Sequence, residues 1–175
     1  MSQISHTLNR LSKRVPLLTT VLALVLLVAV GTAAADALNF RAHLSGKYAI
    51  PAVVDTQAQG QAILNYNDDG TISYKLIVAN IQNTRMAHIH LKPASGTGNG
   101  PVLVWLYPAT PPMNPIPGRY DGVLAEGTIT SDSLQYSGVD DLTMDQLKDY
   151  IEMGKTYVNV HTDQFPAGEI HGPVH

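Results

Sequence analysis

Two histidines alternate along one short apolar run, Ala87-His88-Ile89-His90-Leu91, in a 175-residue chain that has no cysteine. Imidazole can move protons near neutral pH and is the commonest metal ligand. The missing thiols exclude disulfide frameworks, cysteine nucleophiles and CxxC redox pairs. Successive side chains on an extended strand point to opposite faces, so Ala87, Ile89 and Leu91 share one face and His88 and His90 the other. Their Cβ atoms then stand roughly 6–7 Å apart, at a rise of ~3.3 Å per residue. Two imidazoles can converge on one ion from there, at ~2.0–2.1 Å per bond. Tyr157-Val158-Asn159-Val160-His161 repeats the alternation, with Tyr157, Asn159 and His161 on its polar face. If the two strands are neighbours, His88, His90 and His161 form a three-imidazole site. Such ligands suit copper, zinc, iron and nickel, and affinity peaks at Cu²⁺, so copper is the favoured ion with zinc second. His171, and Glu169 two residues earlier, are candidates for a fourth ligand or for a partner to a ring N–H. Ligands must be deprotonated, so affinity is expected to fall as pH drops through the ordinary histidine range near ~6.5.

The blander alternative is that these histidines hydrogen-bond to neighbouring loops and stabilise a structural or protein-interaction module. His43 and His175 read as solvated side chains. Ser95-Gly96-Thr97-Gly98-Asn99-Gly100 precedes a strand rather than a helix, so it reads as a loop and not as a phosphate cradle. The acids Asp140, Asp141, Asp145, Asp149 and Glu152 read as helix-terminal or solvated groups. No G-x-S-x-G elbow is present.

The elements that would position the histidines are short strands. Residues 60–67 and 71–79 flank Asp68-Asp69-Gly70 and read as a β-hairpin. Residues 40–45, 86–92, 101–107, 123–130, 156–162 and 169–174 bring the expected number to about eight. The stretch 142–154 is the exception. Thr143 with Gln146 makes a capping box, Met144, Leu147 and Ile151 recur at helical spacing, and Gly154 suits the C-terminal stop. Thr130 to Leu134 reads as a shorter helical turn, and the five prolines of 107–118 mark a loop. Many short strands with one short helix on a connection predict an all-β antiparallel sandwich.

The first 35 residues read as an address. Arg10, Lys13 and Arg14 precede the apolar run Leu17 to Val30 and the small residues Ala33 and Ala35. This is the pattern of a signal peptide cleaved after Ala35 or Ala37. Val15 to Ala35 is also long enough, at 21 uncharged residues, to stay as a membrane anchor. Either reading puts the remaining domain, 38–175, outside the cytoplasm, with membrane contact only through the uncleaved segment. Losing residues 1–35 takes the formal net charge from −3 to −6, which argues against a nucleic-acid partner.

The motifs Ala87-His88-Ile89-His90, Asn99-Gly100-Pro101-Val102, Gly127-Thr128-Ile129-Thr130, residues 154–162 (GKTYVNVHT) and Pro166-Ala167-Gly168-Glu169-Ile170 follow in order. In this combination the chain resembles the CHRD domain, first described in chordin and widespread in microbial secreted proteins. The resemblance runs from about Phe40 to Val174. It implies a Greek-key β-sandwich, similar to Cu/Zn superoxide dismutase or immunoglobulin domains, whose H-x-H and V-H-T strands are similar to the copper strands of that dismutase. No histidine lies between His90 and His161 and no cysteine is present, so the dismutase's remaining ligands and disulfide lack counterparts. The family usually carries Arg after Gly-Glu-Ile, where this chain has His171.

The expectation is therefore a non-enzymatic extracytoplasmic module that binds a transition metal, copper first, through His88, His90, His161 and His171. Cell-surface or secreted proteins are its other expected partners.

Overall fold

The computed structural model describes residues 38–135 and 139–175. The amino-terminal address segment lies outside the described residues. Among the described residues seven strands and one α-helix follow in order. They are β1 (Asn39–Ser45), β2 (Gln59–Tyr66), β3 (Ile72–Leu91), β4 (Val102–Tyr107), β5 (Ile116–Ile129), α1 (Met144–Glu152), β6 (Thr156–Thr162) and β7 (Ile170–Pro173). All strand pairs are antiparallel.

β3 is the axle of the fold. Its first half pairs with β2 on one edge and β5 on the other, and its second half pairs with β6 and β4. It therefore belongs to both layers of the sandwich. β1, β2 and β3 follow one another as antiparallel neighbours, and β7 returns to lie beside β1. The order β2-β1-β7-β6-β3-β4, with β5 beside β3 and β2 also paired to β3, wraps the strands around one core. The expected fold class is what the chain adopts.

Inside, Phe40, Ala42 and Leu44 of β1 meet Ala62 and Leu64 of β2 and Ile72, Leu76 and Val78 of β3. This is the period-2 alternation of half-buried strands. The expected hairpin turns through Asn67–Gly70, where Gly70 sits at φ 81°. Helix α1 also forms where its caps predict. The Thr143 hydroxyl accepts from the Gln146 N–H, the Gln146 side chain accepts from the Thr143 N–H, and Leu147 and Ile151 are fully buried.

Two expectations change. The runs 71–79 and 86–92 are one continuous strand, so seven strands form where about eight were counted. β5 begins at Ile116, which draws the end of the proline stretch into the sheet.

The continuity of β3 comes with a phase change. Its first half buries even-numbered residues, Ile72 to Val78, whereas Ile81, Ala87 and Ile89 bury odd-numbered ones. Register shifts against β5 fall between Val78 and Ile81 and between Gln82 and Thr84. Asn80 and Asn83 flank them at φ 59° and 50°, a left-handed conformation that asparagine tolerates better than most residues. The Asn80 N–H donates to Asp121 Oδ1 at 2.7 Å, and Asn83 Oδ1 accepts from the Gly118 N–H at 2.8 Å. A third shift, against β6, falls between buried Thr84 and Met86, and the net shift of one residue moves the later side chains to the opposite face. Without it, His88 and His90 would enter the apolar core.

Candidate metal centre

The phase change puts His88 and His90 on the outer face of β3, next to the matching face of β6. In register, His88 lies opposite Asn159, His90 opposite Tyr157, and Met86 opposite His161. His171 of β7 is opposite Asn159, and Trp105 of β4 is opposite His88. One row across four strands thus reads His171, Asn159, His88, Trp105, with His161 and His90 diagonal to it. His88, His90 and His161 bring ligand nitrogens to within 4.8 Å of one another, with no acid among them.

This outer face is nearly as dry as the core. The three side chains are 3%, 3% and 4% exposed. Two loops cover them, and each loop presents a backbone carbonyl to one ring. His90 Nδ1 lies 2.8 Å from Gly100 O, and His161 Nδ1 lies 2.9 Å from Pro166 O. A carbonyl only accepts, so both Nδ1 atoms carry the proton and both Nε2 atoms present bare lone pairs. This is the support that metal-ligating histidines characteristically have. The loops are tied across the site, since Asn99 Nδ2 donates to Ala167 O at 2.6 Å and Asn159 Nδ2 to the same oxygen at 3.1 Å.

His88 Nδ1 stands 3.2 Å from His161 Nε2. The N–H there donates to the bare His161 nitrogen. The separation also matches two ligands of one tetrahedral ion, which at ~2.0–2.1 Å per bond are about 3.3 Å apart. Moving the His88 proton to its other nitrogen frees Nδ1 for such an ion. Among the described residues His88 Nε2 and His90 Nε2 are buried with no hydrogen-bond partner, an arrangement that costs about 1–3 kcal/mol per group.

The site holds its imidazoles neutral. Burial first, then the neighbouring His161 and His90 rings, push the His88 pKa down to about 3. Burial lowers His161 to about 4 against the opposing pull of the Pro166 carbonyl. His90 is lowered by burial, with the Gly100 carbonyl pulling the other way. Proton competition for the ligands therefore starts well below the pH near ~6.5 expected from unperturbed histidine.

His171 is on the same face, 1% exposed, and its ring stacks on Tyr157 at 5.5 Å and 10°. Tyr157 in turn stacks on His90 at 5.1 Å and 13°. His171 lies outside the close group of three. Glu169 turns away from the histidines, accepting from the Thr56 hydroxyl at 2.6 Å and the Thr162 hydroxyl at 2.8 Å. It fastens the chain before β2 to β6 and is not placed to act as a ligand. His43 and His175 are exposed, as expected of solvated side chains.

Sequence reasoning named neighbouring loops as possible partners of the histidines but not which residues of them. Residues 95–100 are a loop, as read, but their end holds His90. A Cβ on Gly100 would come within 1.8 Å of Leu91 O, so only glycine brings this carbonyl under the ring. Gly168, at φ 122°, packs where a Cβ would meet Asn159 Oδ1 at 2.0 Å and His171 Nε2 at 2.1 Å. The Asn-Gly-Pro and Pro-Ala-Gly-Glu runs were the available signal.

A family model described as CHRD domain matches residues 40–174. No curated protein and no solved structure matches the chain. The match takes in both histidine strands and both covering loops, and the chain belongs to the CHRD domain family.

Proposed function

We propose that this protein is an extracytoplasmic, non-enzymatic module that holds one transition-metal ion through His88, His90 and His161, for storage, delivery or buffering. The observation that carries this reading is a set of three buried imidazoles whose ligand nitrogens lie within 4.8 Å of one another. Two of them are oriented by backbone carbonyls, and among the described residues the buried Nε2 of His90 has no other partner. Copper is the favoured ion and zinc the second, because an all-imidazole set follows the affinity order that peaks at Cu²⁺. Bound there, the ion would supply Lewis acidity and, for copper, one-electron chemistry. The protein's own residues fix the tautomers and exclude water. The coverage by two tied loops favours retention of an ion over turnover of a substrate, which supports the non-enzymatic reading. The family and the amino-terminal pattern of basic residues, apolar run and alanines support a location outside the cytoplasm.

A second reading keeps the histidines as structural groups of an interaction module, and the bonds to Gly100 O and Pro166 O favour it. It leaves the Nε2 atom of His90 unexplained. A calorimetric titration with Cu²⁺ and Zn²⁺ separates the two. The metal reading expects one tight equivalent that disappears in a His88→Ala/His90→Ala variant. Binding no tighter than surface histidines provide would overturn it. Trp105, the sole tryptophan, gives a second readout, since its ring centroid is 4.4 Å from that of His88 and bound Cu²⁺ should quench its emission.

A further inference from the structure

Beside the metal centre, on the His171 side, lies a cavity of about 350 Å³. This is within the usual ~300–1,000 Å³ range of small-molecule sites. Its walls are mostly apolar and flat, formed by Ile50, Pro93, Pro173 and the rings of Tyr48 and Tyr157. Two groups of different chemistry interrupt them. His171 lines the cavity and is 1% exposed, with its Nε2 packed against Gly168. Among the described residues Lys92 is the one cation in the lining, and its ammonium donates to Gly154 O at 2.6 Å. An ammonium has three N–H donors, so two remain for a ligand.

We infer that this cavity binds a small aromatic carboxylate of one or two rings. Ring faces and prolines accept a flat apolar body, in the way that binding pockets pair apolar walls with a few placed polar groups. Lys92 at the exposed rim matches the carboxylate. His171 adds an aromatic wall beside Tyr157, on which its ring stacks. The assignment is independent of the metal reading, because none of the lining residues is His88, His90 or His161.

The test is calorimetric titration of the purified protein with 2-naphthoate and with neutral 2-naphthylmethanol. One saturable site is expected for both, tighter for the acid. Lys92→Met should weaken 2-naphthoate roughly three- to fivefold, the scale of an exposed ion pair, and leave the alcohol unchanged. Ile50→Trp should fill the cavity and abolish both. Copper titration of Lys92→Met should match wild type, which keeps this result distinct from the fate of the metal site. Absence of saturable binding at millimolar ligand would overturn the proposal, as would binding that Lys92→Met and Ile50→Trp leave unaltered.

Discussion

The strands β3 and β6 have two dry faces, and the two differ in how their atoms are satisfied. On the inner face Ala87, Ile89, Val158 and Val160 are fully buried and need no hydrogen-bond partners. On the outer face His88, His90 and His161 are 3–4% exposed and carry nitrogens that the fold satisfies only in part. Burying apolar area stabilises, at roughly 25 cal/mol per Å². Burying an unpartnered nitrogen destabilises. The inner face is thus the source of stability, and the outer face spends some of it to keep three neutral imidazoles converged.

The largest expected effect lies on the inner face. Ile89→Ala should cost about 2–5 kcal/mol in denaturant unfolding, as for other buried isoleucines. Its metal stoichiometry should be unchanged while it stays folded. His161→Ala should do the reverse. Affinity for copper should fall at least about 100-fold, beyond the 10–100-fold that losing an outer hydrogen-bond partner costs. Unfolding free energy without metal should move by less than that of Ile89→Ala. A larger loss of stability from His161→Ala than from Ile89→Ala would remove the distinction between the faces.

The pH response should sharpen the contrast. A histidine whose folded pKa is depressed binds its proton more weakly when folded. Its contribution to stability is therefore complete above the unfolded value near ~6.5. It erodes as pH falls toward the folded values of about 3 for His88 and His171 and about 4 for His161. Thermal melts between pH 7 and 4 should show Tm falling with pH, and less steeply in a His88→Ala/His161→Ala variant. Equal slopes would mean that these imidazoles are not buried neutral. Copper affinity should stay nearly level from pH 7 to 5, whereas exposed imidazoles would lose it. The smallest effect is expected from Asn99→Ala, which unties the loops by removing the bond to Ala167 O. Stopped-flow transfer of copper to a chelator should accelerate by up to about tenfold, with little change in stability, since one hydrogen bond is worth about 1 kcal/mol.

Much of this was legible from residue types. The alternation in 87–91 and 157–161 identified both faces, and the capping box at Thr143 with Gln146 identified the helix. The family motifs marked the domain. What stayed hidden had local causes. The phase change at Asn80 and Asn83 depends on left-handed backbone and on Asp121 and Gly118, about 35–41 residues away, which no alternation pattern carries. The groups that orient His90 and His161 are backbone carbonyls, and a sequence shows side chains only. Glu169 looked like a ligand because it shares a strand parity with His171, yet two threonine hydroxyls hold it elsewhere.

X-ray absorption of the copper-loaded protein tests the central claim most directly. The account predicts a first shell of three imidazole nitrogens at ~2.0 Å, with the imidazole scattering pattern diminished in each of the His88, His90 and His161 alanine variants. A shell dominated by oxygen, or one that those variants leave unchanged, would contradict it.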